Sequence, residues 1–151
     1  MGTLNFNPVS KTAYYCCGVR MMDSLSAKPL VNDTYAKLLM GEDGLLYWEN
    51  FKKFKSPNGS NVARCYLIDS WIKKQLQINP ETTIILIGAG LDSRAFRLPH
   101  GRWIELDEPG IIEYKEKLRR RLARIRCSES LSSLNMNAWP TSYLLSARLN
   151  R

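Results

Sequence analysis

The segment 82–110, TTIILIGAGLDSRAFRLPHGRWIELDEPG, limits what this chain can fold into more than any other. Its first residues, TTIILI, are all β-branched or aliphatic, the pattern of a parallel strand covered on both faces. Gly-Ala-Gly follows at once. Gly88 permits a tight turn off the strand, and Gly90, which has no Cβ, lets a ligand lie against the backbone. The residues after Gly90 predict a short helix ending near Pro99, 102–106 a second strand, and 109–124 a longer helix. A strand, turn, helix, strand, helix order requires parallel pairing through a right-handed crossover, which is the doubly wound α/β arrangement.

Upstream the apolar period is helical. Residues 11–26 carry Tyr14, Cys17, Met21 and Leu25 as one stripe. After Lys28-Pro29, Asn32 or Asp33 can cap a helix over 32–40 that bears Tyr35, Leu38 and Leu39, with Gly41 as its stop. Residues 44–54 form a third amphipathic segment. Ser56-Pro57-Asn58-Gly59 predicts a turn before a helix over 61–76, capped by Ser60, on which Arg64, Leu67, Ile68 and Trp71 share one face. Asn79-Pro80 breaks it. Beyond Ile125 the pattern weakens into serine- and asparagine-rich chain with a Trp139-Pro140 break, and only 143–149 keeps helical character.

Composition removes several function classes. Cys16, Cys17, Cys65 and Cys127 show no C-x-x-C spacing, and His100 is the only histidine. Zinc, Cys-His and Ser-His-Asp constellations therefore lack a second member, and the thiols read as reduced and packed. No apolar run approaches the length of about 20 residues that crosses a bilayer, and MGTLNFNPVSK lacks a signal peptide's apolar region, so a cytoplasmic address without a membrane partner is expected. Of the net charge of +8, +6 lies in 118–151. Arg119, Arg120, Arg121, Arg124 and Arg126 raise a nucleic-acid reading, but on a helix they spread around the circumference with no interleaved aromatic rings for base stacking. A solvated helix is the expectation there.

The glycine turn selects its ligand by what it lacks. A dinucleotide fingerprint ends in Gly or Ala at the position held here by Ser93, and Asp92 would repel a pyrophosphate while pairing with a cationic group. Glu105 and Asp107 stand 17 and 19 residues beyond Gly88, about where an acid ending the second strand accepts hydrogen bonds from ribose hydroxyls. An adenosyl ribose with a cationic tail and no phosphate meets both conditions, and S-adenosylmethionine is such a molecule.

LIGAGLDSRAFRL followed by WIELDEPGIIEYK resembles the leucine carboxyl methyltransferase family of S-adenosylmethionine-dependent O-methyltransferases, which includes bacterial enzymes acting on polyketide-type small molecules. Upstream, TAYYCCGVR, PLVNDTYAKLL and NVARCYLID resemble that family's N-terminal helices in the same order. The resemblance implies an N-terminal helical cap over 1–80, then the first half of a Rossmann-like class I methyltransferase doubly wound sheet over 81–126, then an atypical tail over 127–151. It implies that Arg64 binds the cofactor carboxylate, that Gly88 and Gly90 cradle the cofactor, and that Asp92 holds the loop or the cofactor's amino end. Asp107 would take the ribose hydroxyls with Glu105 as the fallback, and Arg20 would lie near the carboxylate. No metal is required, because the sulfonium is already an activated electrophile.

Family members are about twice this long, so the resemblance implies that the later strands and most of the acceptor pocket lie outside these 151 residues. The expected acceptor is therefore open between a small-molecule hydroxyl or acid and a protein C-terminal carboxylate. The expected partner is a complementing C-terminal half. The competing expectations are a non-catalytic remnant or one half of a split enzyme, acting as an interaction piece, and a basic nucleic-acid-binding module.

Overall fold

A computed structural model describes residues 8–130 and 143–144, with side chains described over 11–120. The elements in chain order are α1 (Pro8–Ser24), α2 (Ala36–Trp48), α3 (Lys55–Ile78), β1 (Thr83–Ile87), α4 (Arg94–Arg97), β2 (Arg102–Leu106), α5 (Pro109–Ser130) and β3 (Tyr143–Leu144). The strands form one parallel sheet in the order β1-β2-β3. The architecture is thus a mixed α/β one with a small parallel sheet, entered through three helices.

The stripe predicted for the first helix is buried at Tyr14, Cys17 and Met21, while Leu25 lies past the helix end and is 67% exposed. Neither Asn32 nor Asp33 caps α2, whose N-cap is Tyr35; Asp33 is buried and used elsewhere. Gly41 does break the helix, at φ 59° and ψ −171°, but helical backbone resumes and runs to Trp48. The segment 44–54 therefore divides into the end of α2 and a run of turns. The turn predicted at Ser56-Pro57-Asn58-Gly59 is instead the start of α3. Pro57 falls in the first helical turn, where its missing N–H has no intrahelical partner to lose, and Ser60 donates back to the Ser56 carbonyl from inside the helix at 3.2 Å. Helix α5 runs to Ser130 rather than 124, and Tyr143–Leu144 is strand rather than helix; residues 145–149 lie outside the described residues.

Two contiguous cores result. Tyr14, Cys17, Val19 and Met21 of α1 pack with Ala36, Leu39, Met40 and Trp48 of α2, and Leu91 of the glycine turn joins them. Tyr114 and Leu118 of α5 pack against the same cluster, so the helical segments and the α/β segment share it. The second core joins Leu76 of α3, Ala95 and Leu98 around α4, and Trp103 of β2, with Ile84 and Leu86 of β1 packed on them. The other face of α3 is where Leu67 and Trp71 stand exposed, so the face shared with Arg64 looks to solvent and the buried face is Asn61, Cys65, Asp69 and Leu76.

Close packing of α1 on α2 needs a residue without a side chain. A Cβ on Gly18 would lie 2.4 Å from Trp48 Cε3, far inside contact distance of a buried ring that cannot swing away. Gly18→Ala is expected to destabilise the protein by about 1–3 kcal/mol through overpacking, read as a lowered urea midpoint with unchanged slope.

Beneath the sheet, Lys115 of α5 donates to Glu105 of β2 at 2.5 Å, with both side chains essentially fully buried. The ammonium also sits 5.7 Å from the centre of the Phe96 ring. Burial pushes the Glu105 carboxyl above its ordinary range, and the Lys115 charge offsets this only in part. Lys115→Met alone should cost about 3–5 kcal/mol in equilibrium unfolding, since it strands a buried acid, whereas Glu105→Leu combined with Lys115→Met should recover most of that loss.

Candidate functional site

The end of β1 and the end of β2 meet at the glycine turn. Gly88 and Ala89 both donate their amides to the Leu106 carbonyl, at 2.9 and 3.2 Å, which fastens the turn to the second strand. Both glycines adopt left-handed backbone, with φ 67° at Gly88 and 49° at Gly90, where a Cβ would be strained. Their free sides differ. A Cβ on Gly90 would lie 3.3 Å from Ala13 Cβ on α1, so that glycine lets α1 approach; beside Gly88 there is nothing within 4 Å. The open flank of the turn is at Gly88.

Asp107 stands just past β2 and closes the other side. Its Oδ2 accepts the Gly90 amide at 2.5 Å and its Oδ1 accepts the Glu108 amide at 2.7 Å. The structure thus brings Gly90 and Asp107 together, and each carboxylate oxygen keeps a second lone pair for another donor. Glu105 is not part of this rim; it is enclosed and bonded to Lys115.

Behind the turn lies a network of buried charge. Asp92 accepts the Arg94 amide at 2.8 Å and pairs with the Arg94 guanidinium, folding the turn onto α4. Burial pushes the Asp92 carboxyl up, but Arg94 and Arg20 outweigh it and hold the group below its ordinary range. Asp69 of α3 accepts from Arg94 Nε at 2.6 Å and forms an ion pair with Arg97 Nη1 at the same distance. Arg20 of α1 donates through Nε to Asp33 at 2.8 Å and through Nη2 to the Leu91 carbonyl at 2.5 Å. Asp33 also accepts the Ser93 hydroxyl at 2.5 Å. Arg20 and Asp92 therefore shape the turn from behind.

Arg64 is the exposed cation of this region. Its Nη2 donates to Asn61 Oδ1 at 3.3 Å, and it makes no ion pair with a described acid. Asn61 in turn donates to Cys16 Sγ at 3.5 Å, and the Cys16 carbonyl accepts from Arg20 at 3.3 Å, which links Arg64 to the turn. Sequence reasoning missed the roles of Asp33, Asp69, Ser93, Arg94, Arg97 and Lys115. Asp33 reads as a helix cap and Asp69 as a polar residue on an amphipathic helix until α3 and the turn are docked; the signal was the spacing within G-L-D-S-R, which sets Asp92 and Arg94 two apart.

Among the described residues no group of His, Cys, Asp and Glu converges as a metal site, and no helix is long and apolar enough to cross a membrane.

The leucine carboxyl methyltransferase family profile matches residues 13–146. The chain is 25% identical over 122 residues to the tetracenomycin polyketide synthesis O-methyltransferase TcmP of Streptomyces glaucescens, covering 77% of this chain and 44% of that protein. It is 30% identical over 120 residues to a putative S-adenosyl-L-methionine-dependent methyltransferase of Mycobacteroides abscessus, covering 73% of this chain and 39% of the relative. A protein of the same description from Saccharopolyspora erythraea is 31% identical over 104 residues, covering 64% and 33%. The chain spans less than half the length of these curated relatives. With the profile running from the first buried helix through the glycine turn and both acids to the third strand, this chain belongs to the leucine carboxyl methyltransferase family.

Proposed function

We propose that this chain is the cofactor-binding half of an S-adenosylmethionine-dependent O-methyltransferase, and that its sheet is the opening half of a Rossmann-like class I doubly wound sheet. The observation that carries the reading is Asp107 at 2.5 Å from the Gly90 amide, beside a Gly88 flank that is open. Residues of this kind fit the group. The spare lone pairs of Asp107 suit two vicinal ribose hydroxyls, the open side of Gly88 admits a ligand against the backbone, and the guanidinium of Arg64, in no ion pair among the described residues, suits a carboxylate as a planar double donor.

When bound, S-adenosylmethionine supplies a sulfonium methyl group already activated for displacement. The residues here then need only bind and orient. Asp107 fixes the sugar, Gly88 sets how closely it approaches the backbone, and Arg64 anchors the far end of the amino-acid tail. Arg20, Asp33 and Asp92 hold the turn in the conformation that makes those contacts, since each bonds to the turn or to a residue that does. The oxygen acceptor, a small molecule or a protein C-terminal carboxylate, would be placed by chain beyond this half. A cytoplasmic address accompanies the same reading, supported by the lack of a membrane-crossing helix among the described residues. Nucleic acid is not part of it, because Arg119 and Arg120 both bond to Glu116 on their own helix.

Titration calorimetry with S-adenosylhomocysteine tests this directly. The natural chain should give measurable heat, and Asp107→Ala should weaken binding at least about tenfold, a loss of ~1.4 kcal/mol or more. Arg64→Ala should weaken it too. Equal affinity in the natural and Asp107→Ala proteins, or no heat with the natural chain, would overturn the cofactor assignment.

A further inference from the structure

Asn61 lies at the border of the buried face of α3 and is only 8% exposed, while Arg64, three residues on and beside it on the helix surface, faces solvent. The Asn61 carboxamide is in use on both sides. Nδ2 donates to Cys16 Sγ of α1 at 3.5 Å, and Oδ1 accepts from Arg64 Nη2 at 3.3 Å and from the Cys65 thiol at 3.8 Å. Chemistry fixes which way the amide points. A guanidinium has donors only, so the oxygen faces Arg64 and the amino group faces the Cys16 sulfur.

The consequence for Arg64 follows from the shape of its guanidinium. Nη2 carries two N–H bonds, one on the edge it shares with Nε and one on the edge it shares with Nη1. Asn61 takes one of them, so whichever edge it occupies, the other keeps its full pair of parallel donors. A carboxylate is recognised by such a pair. An arginine on a solvent-facing helix surface otherwise samples many rotamers, and a ligand that captures it has to order it first. Asn61, itself held by Cys16, does part of that ordering in advance. The hold reaches the glycine turn as well. The Cys16 carbonyl accepts from Arg20 Nη1 at 3.3 Å, and Arg20 Nη2 donates to the Leu91 carbonyl at 2.5 Å. The exposed cation of α3 is thereby tied to the backbone that follows Gly88 and Gly90.

We propose that Asn61 is a positioning residue for the carboxylate end of the cofactor: it acts through Arg64, presenting the free edge of the guanidinium at a set reach from the glycine turn. The inference rests on the cofactor reading above and adds the residue that orders the carboxylate anchor. A plain packing role for Asn61 between α1 and α3 makes a different prediction, because loosening the two helices would weaken every adenosyl ligand alike.

Titration calorimetry on the full chain separates the two roles with a pair of probes, S-adenosylhomocysteine and methylthioadenosine, which keeps the adenosyl sulfur but lacks the amino-acid tail. Asn61→Leu, which preserves the branching of the side chain, should weaken S-adenosylhomocysteine about fivefold, the effect of leaving one long side chain to be ordered on binding. It should leave methylthioadenosine unchanged. In an Arg64→Ala background the same substitution should have no further effect on S-adenosylhomocysteine, since the group through which Asn61 acts is gone. Asn61→Ala, measured in parallel, should show the same pattern. Equal weakening of both probes, additive losses in the double variant, unchanged affinity for S-adenosylhomocysteine, or failure of both Asn61 variants to fold would make Asn61 a packing residue and overturn the proposal. Binding of neither probe by the natural chain would be a different failure: it would remove the cofactor reading and this inference with it.

Discussion

The conformation of the glycine turn depends on charge buried behind it. Arg20, Arg94 and Arg97 face Asp33, Asp69 and Asp92 from α1, α3, α4, the segment before α2 and the turn itself, and five of these six are enclosed by the surrounding packing to within a tenth of their side-chain surface. Removing such ions from water is expensive, and their mutual attraction offsets the loss only where every charge has a close opposite and further hydrogen bonds fill the remaining sites. Here Ser93, the Leu91 carbonyl and the Arg94 amide supply several of those bonds, while Arg94 Nη2 and Arg97 Nη2 are buried without a hydrogen-bond partner among the described residues. Loss of any one member strands its partners, so the network holds α1, α3 and α4 in a single arrangement around the turn.

That arrangement assigns different work to two acids of one strand end. Glu105 and Asp107 are two residues apart, yet Glu105 is sealed under α5 by Lys115 while Asp107 sits on the rim with the Gly90 amide in hand. A carboxylate sealed beneath a helix has no exposed surface to offer a ligand. One bonded to two backbone amides is fixed in place and still has acceptor capacity. The chemistry available at the site thus follows from which acid α5 reaches.

The same helices leave the sheet half covered. α3, α4 and α5 all serve the face of Ile84, Leu86, Trp103 and Glu105, and among the described residues the face of Ile85 and Ile87 has no such cover. A strand apolar on both faces is thus satisfied on one side only among the described residues.

Much of this was legible in the residues themselves. Local rules suffice for β1, for β2 with the bounds 102–106, for the short helix after the turn and for the break at Gly41, because strand composition, glycine backbone freedom and turn chemistry act over a few residues. The family, too, is carried by local signatures, G-A-G-L-D-S-R and E-L-D-E-P. Where the sequence misled, at the Ser56–Gly59 turn and the Asp33 cap, a tertiary contact overrode the local preference: Asn58 bonds back to Tyr15 and to Phe51, and Asp33 is taken by Arg20 and Ser93. Residue types and their order thus determined the parallel α/β plan and the presence of a glycine turn with acids beyond it. Only the folded chain decided that Asp107 rather than Glu105 faces the turn, and that Gly90 yields to Ala13 while Gly88 stays open, since those choices depend on helices 70 or more residues away in the chain or on a later one packing beneath the sheet.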